Sequence, residues 1–477
     1  MEQTYQETAE LLIEKARIAA AVFQQLNQKE TDKVVEAVFR AAFNARISLA
    51  KMAAEETGIG VFEHKVIKNT VASQMVYESI RHMQTVGIIS DDPVTGITEI
   101  AQPLGPILAV IPITNPTATI LYKALICLKS RNPVIFSVHR NGGNCGKEAV
   151  RICYEAALKA GAPDDCLQIV PEHSRELTQA LMTHPGIALI LATGGTGLVR
   201  AAYSSGNPAI GVGPGNVPVL IDISADIPFA VENILLSKTF DNGTICASEQ
   251  SIIVEEAIAK KVLAEFARQG AYILDAEETR KLERAVIDPS NGQMNGAIVG
   301  KSVGFISALA GISVPPNTSV LIAPMNGIGR NYPLSGEVLA PVLTFYRCKT
   351  YQEAVKTCID LNYLGGIGHT VSIFANNEKR ISDFSRIMNA GRIVVNTPSA
   401  QGAATGTYNT LTPALTLGCG TGGKNITTEN ISTHHLINIQ RVARRRPNFR
   451  WMTFDLSNYF NEKFTDKDLD SKYYKNY

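Results

Sequence analysis

The chain has 477 residues, 45% of them hydrophobic, which is too long for one small domain and ample for more than one core. Its formal net charge of +1 excludes a global electrostatic pull toward nucleic acid, membrane surfaces or strongly acidic partners. The eight cysteines form no C-x-x-C pair and none has a histidine at zinc-finger spacing, which argues for free thiols in a reducing cytoplasm and against a disulfide scaffold or a metal site.

Met1-Glu2-Gln3-Thr4 leads into an amphipathic helix rather than a basic segment with an apolar core, so no signal peptide is expected. No uncharged apolar run is long enough to span a bilayer, and a cytoplasmic protein is expected, with a bacterial microcompartment left open. Residues 5–85 read as helices, broken at Gly58-Ile59-Gly60. Residues 86–102 leave that rhythm. Two strand-like runs flank the turn Asp91-Asp92-Pro93 and form a hairpin arm, of the kind that packs on a neighbouring subunit.

From 103 to 222 short apolar strands alternate with helices. The strands are read at 107–113, 133–138, 166–170, 187–192 and 217–222. This alternation predicts a parallel α/β sheet with ligands at the carboxyl ends of its strands. After Asp226 the pattern restarts as a second α/β domain, with strands at 251–254, 319–322, 342–346, 370–374 and 392–396. The span 397–424 is rich in Gly, Thr and Ser and too long for an ordinary connection, which points to function.

Chemistry concentrates in a few loops. Cys246 follows the turn signal Asp241-Asn242-Gly243 at a helix-to-strand junction. A cysteine there is expected to be partly exposed, with backbone N–H groups near enough to favour the thiolate. A free cysteine is more often a small buried hydrophobe, so the loop alone does not decide. Val110-Ile111-Pro112-Ile113-Thr114-Asn115 ends a strand and enters a helix, where a cofactor would meet backbone groups, and Asn115 can aim an amide N–H at a developing oxyanion. Thr193-Gly194-Gly195-Thr196-Gly197 opens a helix with small residues that let its N-terminus approach a pyrophosphate, although it is not the G-x-G-x-x-G fingerprint. Gly211-Val212-Gly213-Pro214-Gly215-Asn216 has no helix after it and reads as tight backbone packing beside a site. Glu337 precedes an apolar strand and suits either a ribose or solvent. His369, flanked by Gly368 and entering a strand, can titrate near neutral pH and act as a base; a lone histidine of this kind is more often structural.

Together and in this order, these stretches resemble the aldehyde dehydrogenase superfamily from about residue 5 to about 450, most of all its CoA-acylating branch and the N-terminal half of the bifunctional aldehyde-alcohol dehydrogenases. The iron-dependent alcohol dehydrogenase half has no counterpart here. The resemblance implies a Rossmann-type parallel-sheet domain binding a nicotinamide dinucleotide (1–85 and 103–226), a catalytic α/β domain (227–424), a β-hairpin oligomerisation arm (86–102 and about 425–450) and a tail (451–477) outside the match. It makes Cys246 the nucleophile, Asn115 the oxyanion amide and His369 the base for the incoming thiol. It gives Val110–Thr114, Thr193–Thr196, Gly213, Glu337 and Leu417 to the cofactor.

Hydrolytic members carry a glutamate base in an E-L-G-G-K segment. Here the matching stretch is Val212-Gly213-Pro214-Gly215-Asn216, so a thioester should survive water and await CoA. Where those members place a lysine near the adenine ribose, this chain has Ser137, with His139 and Arg140 beyond, which favours NAD without excluding NADP. The resemblance therefore implies aldehyde + CoA + NAD⁺ ⇌ acyl-CoA + NADH in a homo-oligomer that binds neither nucleic acid nor membrane, with acetaldehyde as the first substrate to expect. An alternative is an anionic aldehyde such as sulfoacetaldehyde, because Lys424 replaces an aromatic, glycine-rich turn and an expected acid is missing from 402–408. Rival readings are a hydrolytic aldehyde dehydrogenase and a non-catalytic assembly module. The basic run Arg441, Arg444, Arg445, Arg446 and Arg450 matches a basic helix of the family rather than a nucleic-acid surface.

Overall fold

Ile107-Leu108-Ala109-Val110-Ile111 has no polar face, and every residue of it is buried. A strand of that kind must be covered on both sides, as parallel strands between helix layers are. The computed structural model describes residues 4–171, 173–290, 292–445 and 455–469 and places this strand, β3, in a five-stranded sheet. With β4 (Val134–Val138), β5 (Leu167–Ile169), β6 (Leu189–Thr193) and β7 (Ala209–Val212) the order is β5-β4-β3-β6-β7, parallel throughout.

A second parallel sheet has seven strands in the order β10-β11-β12-β9-β8-β13-β14. They are β8 (Val217–Ile221), β9 (Glu249–Glu255), β10 (Ala271–Ile273), β11 (Val320–Pro324), β12 (Val342–Cys348), β13 (Gly368–Phe374) and β14 (Ala390–Val395). The arm is a three-stranded antiparallel sheet, β1 (Gly87–Asp92), β2 (Ile97–Pro103) and β15 (Ile437–Ala443), ordered β1-β2-β15.

Between β3 and β4 runs the helix Pro116–Lys129, apolar nearly all round and buried along its whole length. Proline at its first turn costs no hydrogen bond, and such a helix belongs inside a core. It anchors a cluster that includes Ile107, Phe136, Leu191 and Leu417. Among the described residues no helix is long and apolar enough to cross a membrane.

Two expectations need correction. The strand read at 217–222 was assigned to the first domain, but β8 pairs with β9 and β13 in the second sheet. Only Gly213-Pro214-Gly215-Asn216 separates it from β7, and without a crossover helix the chain cannot return to the same parallel sheet. The basic run also fails to open a helix. Arg441 lies on β15 opposite Glu99 of β2, with Nε 3.0 Å from Oε1. A cross-strand ion pair accounts for that residue. Arg446, Arg450 and residues 451–454 and 470–477 of the tail lie outside the described residues.

Candidate active site

The five-stranded sheet turns its carboxyl ends, and the seven-stranded sheet its amino ends, toward one junction. Val110 and Ile111 finish β3, Thr193 finishes β6, and Gly213 follows β7. From the other side Cys246 precedes β9, Glu337 precedes β12, and His369 is the second residue of β13.

Gly215 is where three of these meet. A methyl group on it would stand 1.7 Å from the carbonyl oxygen of Cys246 and 3.4 Å from Cε1 of His369. Its N–H donates to Glu337 Oε1 at 2.7 Å. Only glycine lets the backbone pass so close. The residue after Glu337 is pinned as well: Gln250 Oε1 accepts from Val338 N–H (3.0 Å) and from Lys238 Nζ (3.1 Å).

Cys246 sits in a turn and is part-exposed. Burial nevertheless pushes its thiol up to about 12, with Glu337 and Cys419 adding to the rise and Arg392 opposing it. The expected bias toward thiolate is therefore reversed in the free protein, because desolvation and a neighbouring carboxylate outweigh the local N–H groups. His369 also departs from its expectation. It is fully buried, and burial, followed by the nearby Arg392, holds it well below the ordinary histidine range. It stays neutral rather than titrating near pH 7. Nδ1 lies 2.9 Å from Thr370 Oγ1, while Nε2 has no hydrogen-bond partner among the described residues.

Arg392, on β14, explains part of this. Its guanidinium donates to the carbonyls of His369 (2.7 Å), Gly418 (2.6 Å) and Thr428 (3.0 Å) and to Asn430 Oδ1 (3.2 Å). Carbonyl dipoles hold this buried cation and tie the strip 417–430 to β13. Leu417 is buried in that strip. Thr416, beside it, meets Thr193 Oγ1 at 3.3 Å. Lys424 is exposed, with a left-handed backbone (φ 62°).

Asn115 is held from the opposite side. Its Oδ1 accepts from Lys68 Nζ at 2.5 Å. The same ammonium donates to Thr244 Oγ1 (2.8 Å) and to Asp241 Oδ2. Lys65, one turn earlier on the helix Phe62–Thr70, reaches Thr114 O (3.3 Å) and Asp241 Oδ2 (3.4 Å). Burial pulls Lys68 down to about 8 against the attraction of Asp241. Burial opposes ionisation of Asp241, but the two lysines keep its carboxyl below the usual range. Neither lysine was read from the sequence, because lysine on a helix is normally solvated.

The carboxyl ends of β3 and β6 are joined by Lys123, whose Nζ donates to Val110 O (2.9 Å) and Leu191 O (2.8 Å). Beyond β6 the helix Thr196–Tyr203 starts without a side-chain cap. Gly195 and Gly197 at that start have open space where a Cβ would stand. Uncapped N–H groups beside open, glycine-lined space fit a dinucleotide's phosphates. At the far end of the seven-stranded sheet an open hollow of about 490 Å³ is lined by Glu255, Lys349 and Arg380 among others. Arg380 there is paired with Asp222 and Glu255.

A sequence model described as the aldehyde dehydrogenase family matches residues 1–409. The chain belongs to that family. It is 45% identical over 453 residues to the bifunctional aldehyde-alcohol dehydrogenase AdhE of Escherichia coli K12, covering 94% of this chain and 51% of that one. It thus spans about half the length of such relatives. It is 35% identical over 470 residues to the sulfoacetaldehyde dehydrogenase (acylating) of Bilophila wadsworthia, covering 98% of both. The crystal structure of an acetylating aldehyde dehydrogenase from Geobacillus thermoglucosidasius matches with a TM-score of 0.90 at 46% identity, covering 93% of this chain and 98% of that one.

Proposed function

We propose that the protein is a CoA-acylating aldehyde dehydrogenase working through Cys246, with NAD as the expected dinucleotide and acetaldehyde as the first substrate. The observation that carries this is the convergence of Cys246, Glu337 and His369 on Gly215, in a segment with no carboxylate at Val212 to activate water.

In this reading Cys246 Sγ forms a bond to the aldehyde carbon. The carbonyl oxygen takes the negative charge and is held by Asn115 Nδ2 and backbone N–H groups. The nicotinamide dinucleotide, when bound along Val110–Thr114, Thr193–Thr196, Gly213, Glu337 and Leu417, supplies the two-electron acceptor. That leaves an acyl thioester on Cys246. His369 Nε2, the unpartnered buried nitrogen, takes the proton of the CoA thiol, and CoA sulfur displaces Cys246 as thiolate. Because Cys246 starts as a thiol, its own proton is released to solvent as the first bond forms, and the proton taken by His369 restores the thiol when Cys246 leaves.

The deciding experiment follows NADH at 340 nm from acetaldehyde with and without CoA. CoA-dependent turnover that vanishes in Cys246→Ser is expected. CoA-independent oxidation to the free acid would instead make the protein hydrolytic, and a wild type inactive on every aldehyde tried would leave the assembly-module reading standing. A second substrate reading is favoured by the full-length match to a sulfoacetaldehyde enzyme and by exposed Lys424. It predicts a preference for sulfoacetaldehyde over acetaldehyde that Lys424→Ala removes. We also propose that the three-stranded arm serves self-association, which light scattering of the full chain tests.

A further inference from the structure

We infer that Lys68 is a positioning residue that fixes which end of the Asn115 amide faces the reacting carbonyl. The inference rests on the acylating reading above and assigns a role to a residue outside its reacting groups.

The two ends of an asparagine amide have nearly the same shape, so neighbours decide which end points where. A lysine ammonium has three donors and no acceptor. With Lys68 Nζ 2.5 Å from the Asn115 side chain, the amide must turn its oxygen to the lysine and its NH₂ away. Among the described residues that NH₂ makes one hydrogen bond, to Thr114 Oγ1 at 3.2 Å, which uses one of the two protons. The other proton remains for an oxyanion.

A second observation agrees. Asn115 stands at the N-cap of the helix Pro116–Lys129, where asparagine ordinarily bonds to its own helix, yet it makes no capping bond. Its side chain is diverted to Lys68. The remaining two protons of the ammonium go to the nucleophile loop, at Asp241 Oδ2 and at Thr244 Oγ1, two residues before Cys246. One buried cation thus joins the loop that carries the amide to the loop that carries the sulfur. Lys65 repeats the bridge from Thr114 O to Asp241. Two lysines against one aspartate leave positive charge on the side where the carbonyl oxygen becomes negative.

The test is a double-mutant cycle on steady-state NADH formation from aldehyde and CoA. Asn115→Ala should lower kcat by about 100- to 1,000-fold, as the loss of one oxyanion donor does. Lys68→Met keeps the stem and removes the donors, and should lower kcat by about 100-fold. KM for the dinucleotide should stay within about twofold, since Lys68 hydrogen-bonds to Asn115, Asp241 and Thr244, none of them assigned to it. The double variant should be no slower than Asn115→Ala alone. Lys68→Met takes one of the two lysines from Asp241, so Lys68→Met/Asp241→Asn, which removes both charges, is run beside it with circular dichroism and melting curves. The same kcat loss is expected there. Losses that multiply in the double variant, a wild-type kcat in folded Lys68→Met or in the charge-neutral pair, or a loss carried by KM would each overturn the inference. A wild type with no CoA-dependent turnover is seen before any variant is made, and it would remove the acylating reading first.

Discussion

The two large sheets bring opposite strand ends, and opposite physical characters, to one junction. Behind the five-stranded sheet the loops are open. Gly195, Thr196 and Gly197 are exposed, and the helix they start leaves its first N–H groups uncapped. On the seven-stranded side the backbone is stacked without slack: a methyl on Gly215 would strike Cys246 O, and one on Gly368 (φ 79°) would meet Cys419 O at 1.7 Å. The open side suits a molecule that must bind and leave on each cycle. The closed side suits groups that must hold their distances while bonds change. The contrast makes one demand: substitutions on the first side should appear in KM, and on the second in kcat.

The largest effect should come from Cys246→Ser on the closed side, with CoA-dependent NADH formation falling to the background rate. His369→Ala should follow, lowering steady-state turnover by about 100-fold or more while a stoichiometric NADH burst survives. Loss of the burst together with turnover would mean that His369 acts before the thioester. Since His369 is held neutral, kcat between pH 6 and 7 should show no break that disappears in this variant. Next comes Gly215→Ala, whose methyl must displace Cys246; about a 100-fold drop in kcat is expected, larger than any rise in dinucleotide KM passed on through Glu337.

Gly195→Ala is its counterpart on the open side. The added methyl meets no protein atom, so the fold should be intact and dinucleotide KM should rise about tenfold at constant kcat. A kcat effect there would break the division between the sides. The smallest effect, and one of opposite sign, belongs to Glu337→Gln. With the Cys246 thiol pushed up to about 12, wild-type alkylation by iodoacetamide should climb about tenfold per pH unit from 7 to 9 without a plateau. Glu337 favours the thiol, so removing its charge favours the thiolate. Alkylation at pH 8 should then rise by roughly 3- to 10-fold, while alkylation that slows would reverse the assigned electrostatics.

The open side was the easier to read from sequence. Its strands β3, β4 and β6 are short apolar runs with helices between them, a pattern that needs no tertiary knowledge. Ala209-Ile210-Gly211-Val212 hid β7 because four residues with a glycine carry little strand signal. The membership of β8 was invisible for another reason. Local pattern shows that a strand exists and not which partner it takes, and the missing helix after Val212 was the one available clue. Cys246, Glu337 and His369 were legible as unusual residues in loops or at strand starts, but their meeting at Gly215 depends on backbone contacts far apart in sequence. Lys65 and Lys68 carried no signal, since only tertiary packing makes them buried. Arg392 did leave a trace, as a lone charge among the apolar residues of β14.

The thread Gly213-Pro214-Gly215-Asn216 is also a leash. From Val212, the last residue of β7, to Val217, the first of β8, the chain takes five Cα steps, which cannot exceed about 18 Å even fully drawn out. The two sheets can breathe at the junction but cannot gape along that edge. The backbone around the sulfur, which lies against Gly215 of this thread, therefore stays within one short tether of its resting place.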